Sequence, residues 1–163
     1  MRLGDERAVH VIPQPPHLGA ESCGLKHVRA LQHMARVIRF STAKFDVSKE
    51  RPNPINPIPG ESLLLWLQDQ AKPHVEVTDP DAEDWGWYAF VEWKGRQYML
   101  GSSASDEENG QREWILQVVK QRSAKEKLLG REKMGADDDC AQFFQHFLEQ
   151  ERSFTAVSVD EEP

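Results

Sequence analysis

The sequence predicts an α+β fold: an antiparallel sheet of four or five strands with helices packed on one face. Three observations carry this. Apolar residues alternate over several short stretches, and they take helical spacing over a few separate ones. Two of the alternating stretches, Trp85–Trp93 and Arg96–Ser102, flank Lys94-Gly95, which marks a hairpin. The elements then run strand, prolyl segment, helix, strand, hairpin, strand and helices, and that order keeps helices apart from strands.

Val37–Val47 opens the domain as a loosely alternating strand. Arg51-Pro-Asn-Pro-Ile-Asn-Pro-Ile-Pro-Gly60 follows, with four prolines in eight residues. Proline removes the backbone donor and fixes φ, so this segment is neither helix nor ladder but an extended strap. Gly60-Glu61-Ser62 starts a helix that runs to Ala71, and Lys72-Pro73 stops it. Its broad apolar face holds Leu63, Leu64, Trp66, Leu67 and Ala71, and Leu65 stands on the opposite side. Ile55 or Ile58 of the strap is expected to fold back over Leu65; the alternative places Leu65 in a partner or homodimer interface.

His74–Thr78 reads as a short strand and Asp79–Asp84 as an acidic loop. In the hairpin, residue 93 faces 96, 91 faces 98 and 89 faces 100. One face then gathers Trp87, Ala89, Val91, Tyr98 and Leu100, and the other Tyr88, Phe90 and Met99. Apolar residues on both faces imply a hairpin covered twice, or covered once and used for contact on the other side. Arg112–Arg122 is a strand by its β-branched and aromatic content. Ser123–Met134 is a charged helix, broken at Gly130 and Gly135. The last helix begins at an Asp137 N-cap and buries Cys140, Phe143, Phe144, Phe147 and Leu148 at i, i+3, i+4, i+7, i+8 spacing.

At 163 residues the chain suits one domain. All its Trp, Phe and Tyr residues lie from Phe40 onward, so residues 1–33 have little to bury and are expected to be a loosely attached extension. Met34 is an alternative start. Residues 34–155 then form the domain and 156–163 an acidic tail, with Phe154–Val159 the stretch that would suit a further edge strand.

The net charge of −7 argues against a general binder of nucleic acid or of anionic membranes. No apolar run approaches the ~18 residues of a membrane span. With two cysteines and no secretory signal, a cytoplasmic location is expected. Nucleophile elbows, phosphate loops and dinucleotide fingerprints are missing from the sequence. Cys23, His27 and His33 lack a fourth zinc ligand. The acidic loop fails the EF-hand pattern, having Asp84 where glycine belongs and Phe90 where glutamate belongs.

The densest feature is Asp84-Trp85-Gly86-Trp87-Tyr88. Trp and Tyr bury much area at low entropic cost and dominate binding hot spots. Carboxylates beside them favour a cationic partner. The expected function is therefore a small acidic soluble domain that binds another protein without catalysis, in an immunity-like, inhibitor or adaptor role. Its partner would carry a basic surface, and its contacts would be Trp85, Trp87, Tyr88, Asp84 and Leu65. The alternatives are a small metal-dependent hydrolase using His74, Asp79, Asp81 and Glu83, or a small-ligand binder with an aromatic pocket at Trp85 and Trp87. No cofactor is implied. Because residues 1–33 hold no aromatic residue, their deletion is expected to leave the thermal melt unchanged; a markedly lower melting temperature by circular dichroism would place them in the core.

Overall fold

The computed structural model describes residues 35–160. The expectations for residues 1–33, for Met34 as a start and for Cys23, His27 and His33 lie outside the described residues, as does the end of the acidic tail. The described chain runs β1 (Ala35–Thr42), α1 (Glu61–Ala71), β2 (Asp81–Glu83), β3 (Gly86–Trp93), β4 (Arg96–Ala104), β5 (Arg112–Lys120), α2 (Ala124–Leu128), α3 (Asp139–Glu149) and β6 (Thr155–Val159). The strands form one antiparallel, six-stranded sheet in the order β2-β3-β4-β5-β1-β6. The α+β class holds, and the sheet is larger than the four or five strands expected.

Both extra strands have a physical reason. Phe154 is buried and stacks on Phe40, with ring centroids 4.3 Å apart. That contact brings the residues after it alongside the free edge of β1, where Ile38 pairs with Val159 and Ser41 with Thr155. Thr155 Oγ1 also donates to the Ser41 carbonyl at 3.1 Å. Residues 156–159 therefore belong to the domain rather than to a tail. At the other edge, His74 and Val75 both donate their N–H groups to the Ala71 carbonyl, so the end of α1 claims the first two residues of the expected His74–Thr78 strand, while the Thr78 N–H donates to the Phe90 carbonyl at 2.9 Å. Only Val77 keeps a bridge, to Val91. The supposed loop supplies the edge strand instead, Asp81 facing Tyr88 and Glu83 facing Gly86.

The central hairpin has the register the sequence predicts: Trp93 faces Arg96, Val91 faces Tyr98 and Ala89 faces Leu100. Lys94 and Gly95 take φ of 50° and 76°, the positive values a two-residue hairpin turn requires. Arg112–Lys120 is a strand, as expected. The inward faces of the four long strands supply Ile38 and Phe40, Trp87, Ala89 and Val91, Tyr98 and Leu100, and Trp114, Leu116 and Val118. Helix α1 lies over β3 and β4, and α3 over β5. Leu63, Leu64 and Leu67 from α1 and Cys140, Phe144 and Leu148 from α3 are fully buried against this face.

The helices differ from expectation at their starts and ends. The N-cap of α3 is Asp138, one residue later than Asp137, because its carboxylate accepts from the N–H groups of Cys140 and Ala141, each at 3.1 Å. The same carboxylate accepts the Tyr98 hydroxyl at 2.9 Å, which ties the helix start to β4. The charged helix is short: Ser123 and Glu126 close a capping box, and Gly130, at φ 62°, follows soon after Leu128. Cys140 is fully buried in the core, and that burial pushes its thiol up to about 12.

Phe144 is fully buried among core side chains and its ring meets Phe143 edge-on at 5.1 Å. Phe144→Ala is expected to cost about 3–5 kcal/mol in denaturant unfolding, the range for a buried Phe. A loss below about 1 kcal/mol would mean that α3 is not held by this residue.

Candidate functional site

Two segments that stand out in the sequence, the prolyl strap and Asp84-Trp85-Gly86-Trp87-Tyr88, meet in space. The strap is closed at its base by two carboxylates. Glu50 accepts the N–H groups of Gly60 and Ser62, each at 2.9 Å, and so caps α1 from across the loop. Glu61, 2% exposed, accepts the Arg51 backbone N–H at 2.6 Å and pairs with the Arg51 guanidinium. That guanidinium lies 5.2 Å from the Trp87 ring centroid and donates to the Pro80 carbonyl at 2.8 Å.

Two asparagines fasten the middle of the strap. Asn53 Nδ2 donates to the Glu83 and Gly86 carbonyls, both at 2.9 Å, and Asn56 Nδ2 donates to the Asp84 carbonyl at 2.8 Å. Prolines lack N–H groups, so the asparagine side chains supply the donors that the strap's backbone cannot. This corrects the expected fold-back over Leu65. The asparagines direct the strap to the β2–β3 turn, Ile55 stays 58% exposed and Leu65 stays 44% exposed on α1.

Beyond the strap lies the outer face of the sheet. Tyr88, Phe90, Met99 and Ile115 project there, all half-buried. Trp85 lies across β4, its ring 2.9 Å from where a Cβ on Gly101 would stand, so glycine at that position is what admits the indole. Between Trp85, Ile115 and the strap residues Pro57–Pro59 opens a groove of about 420 Å³. Ser103, Ala104 and Ser105 complete its wall, and Asp106 and Glu113 stand on its rim. The strap joins the wall directly, because Ala104 N–H donates to the Pro59 carbonyl at 2.9 Å.

The predicted contact residues divide. Trp85 lines the groove. Asp84 is exposed at the turn beside it. Tyr88 lies on the outer face, its hydroxyl 3.3 Å from Asp81, and burial together with that carboxylate raises its phenol above the ordinary value. Trp87 is 2% exposed and donates its Nε1–H to the Ile58 carbonyl, so it anchors the strap from inside the core. Leu65 sits on the helix layer and does not line the groove.

The residues of the metal reading are dispersed. His74 is exposed with its ring against Phe143 at 5.7 Å, Asp79 accepts from Gln68 at 2.9 Å, and Asp81 holds Tyr88. Among the described residues no group of three His, Cys, Asp or Glu side chains is disposed to hold a metal ion.

A second concavity, of about 400 Å³, lies between the β3–β4 turn and the loop before α3. Its charges are matched within it. Lys120 is 3.5 Å from Glu132 and 3.9 Å from Asp138, Arg96 is 3.8 Å from Glu132, and Lys94 pairs with Asp139. Arg96 and the Ser123 cap hold the Glu126 carboxyl down at about 2. These ion pairs fasten the 120–139 segment to the sheet.

Sequence reasoning missed the groove's Ile58, Pro59, Asp106, Glu113 and Ile115. The Trp-Gly-Trp density and the proline density were the available signals, and neither reveals that the two segments touch. Compared with known proteins, the chain matches no family model, no curated protein and no solved structure.

The junction depends on Gly86. Its φ is 143°, and a Cβ there would lie 2.3 Å from the Ser102 carbonyl oxygen. Gly86→Ala is expected to destabilise the protein by at least about 1–3 kcal/mol, since backbone strain and a steric overlap act together. Denaturant titration checks this, and an unchanged midpoint would show that the turn can move off β4 freely.

Proposed function

We propose that this domain binds another protein through the outer face of the sheet and the strap-walled groove, with no chemistry of its own. One observation carries the reading: a row of half-buried aromatic and aliphatic side chains, Tyr88, Phe90, Met99 and Ile115, ends in a groove with two carboxylates, Asp106 and Glu113, on its rim. Glu83 and Asp84 in the β2–β3 turn and Asp106, Glu107 and Glu108 after β4 stand at this same end of the sheet, because Trp87 pairs with Ser102 and Ala104 with Trp114. Among the described residues none of these five carboxylates takes part in an ion pair.

An apolar centre with a charged rim is the anatomy of a non-obligate interface. The acidic rim selects a partner with a basic rim and speeds its encounter. It also works against a second copy of this chain, which would bring the same carboxylates to the contact. An inhibitor, immunity-like or adaptor role fits this arrangement, since each needs a surface and no reaction.

The test is affinity capture from a lysate of the source cells with the full chain and with Phe90→Lys, circular dichroism confirming that the variant is folded. A protein retained by the wild type, lost with Phe90→Lys and released as salt rises is the expected result. Retention indifferent to Phe90→Lys would overturn the reading. So would a dimer, detected by sedimentation, that Phe90→Lys dissociates, because the occupant would then be a second copy.

A further inference from the structure

We propose that the groove is a subsite for a single cationic side chain, arginine or lysine, carried on an extended segment of the partner. The inference rests on the binding reading above and adds what the groove recognises. At about 420 Å³ the groove is near the small end of ligand-sized clefts, room for a side chain and its flanking backbone. Its walls are mainly apolar, with Trp85, Ile115, Pro57 and Pro59 beside Ser103 and Ser105, while the exposed Asp106 and Glu113 stand at its rim. That combination suits an amphipathic cation. The methylene stem lies along apolar surface and the charged head reaches the rim. An indole face and a carboxylate both attract the head, and arginine's planar fork matches both.

The chain's own arginines show which carboxylate is left for the incoming charge. Arg39 crosses from β1, where it pairs with Ile115 in register, and its guanidinium lies 3.3 Å from Glu113 and 3.1 Å from Asp160. Glu113 is thus half-neutralised from within. Arg112 donates to the Ser105 carbonyl at 2.7 Å and forms no ion pair with Asp106. Ser105 fixes the strand end: its N–H donates to the Glu113 carbonyl at 2.9 Å, and its hydroxyl accepts the Glu113 N–H at 3.1 Å. Asp106 is therefore held at the mouth by a structured neighbour and has no cation of its own among the described residues. Its carboxylate is the one that meets the partner's charge.

Three capped tripeptides, acetyl-Ala-X-Ala-amide with arginine, lysine or norleucine at X, test this when titrated into the full chain at low ionic strength. The Trp85 indole and Ile115 methyl resonances report binding. Saturable shifts are expected with both cationic probes and about tenfold weaker binding with norleucine, equivalent to roughly 1.4 kcal/mol. Asp106→Asn, an exposed substitution that leaves the fold alone, is expected to bring the cationic probes to the norleucine level. Norleucine binding as well as arginine, binding indifferent to Asp106→Asn, or no saturable shift with any probe would each overturn the subsite. Capture separates the two readings: loss of the partner with Phe90→Lys but not with Asp106→Asn overturns the subsite and keeps the docking face, whereas saturable cationic probes without any captured partner overturn the docking face alone.

Discussion

Two glycine backbones close on one carbonyl. A Cβ on Gly86 would stand 2.3 Å from the Ser102 oxygen, and a Cβ on Gly60 would stand 2.5 Å from it. Ser102 is on β4, Gly86 begins β3 and Gly60 is the N-cap of α1. One point in the sheet therefore sets where the helix starts, where the β2–β3 turn sits and how near the strap comes. Gly60 is needed for its size alone, since its φ of 163° is open to any residue; Gly86 is needed for size and conformation together. Widening this contact would move Trp87, the strap and the groove wall at once.

Polar groups hold what the glycines bring near. Glu61 is almost wholly buried, and a buried carboxylate is tolerable only when paired and hydrogen-bonded. Arg51 meets that need with its backbone N–H and its guanidinium, and the same guanidinium covers the Trp87 ring. Glu50 satisfies two of the N–H groups that the helix start leaves open. The strap is thus a preformed wall, and four prolines lower the entropy it would lose on ordering. A rigid wall beside an aromatic floor suits recognition, because a preorganised surface loses little freedom when a partner arrives.

The two ends of the molecule use charge differently. Around the second concavity cations and carboxylates alternate and neutralise one another, which docks the 120–139 segment. At the groove end Glu113 pairs with Arg39, while among the described residues Glu83, Asp84, Asp106, Glu107 and Glu108 take part in no ion pair. The sequence shows an acidic domain, but the division into a matched end and an unmatched end comes from the fold.

What the sequence determined by itself was local. Alternation and turn chemistry fixed the hairpin and its register, because a two-residue turn leaves one way to pair the strands. Helical spacing identified the buried faces of α1 and α3, since the period follows from backbone geometry alone. The tertiary structure decided the rest. Strand β6 exists because Phe154 stacks on Phe40 more than a hundred residues away in sequence, and β2 is Asp81–Glu83 folded back to pair with Gly86–Tyr88, where the sequence shows only an acidic loop. Leu65 is uncovered because Asn53 and Asn56 find acceptors in the β2–β3 turn. The groove joins residues from the strap, the β2–β3 turn, β4 and β5, a set with no period or spacing to betray it. Such contacts depend on which partners remain available once the sheet has formed, and a pattern along one strand or helix does not record that.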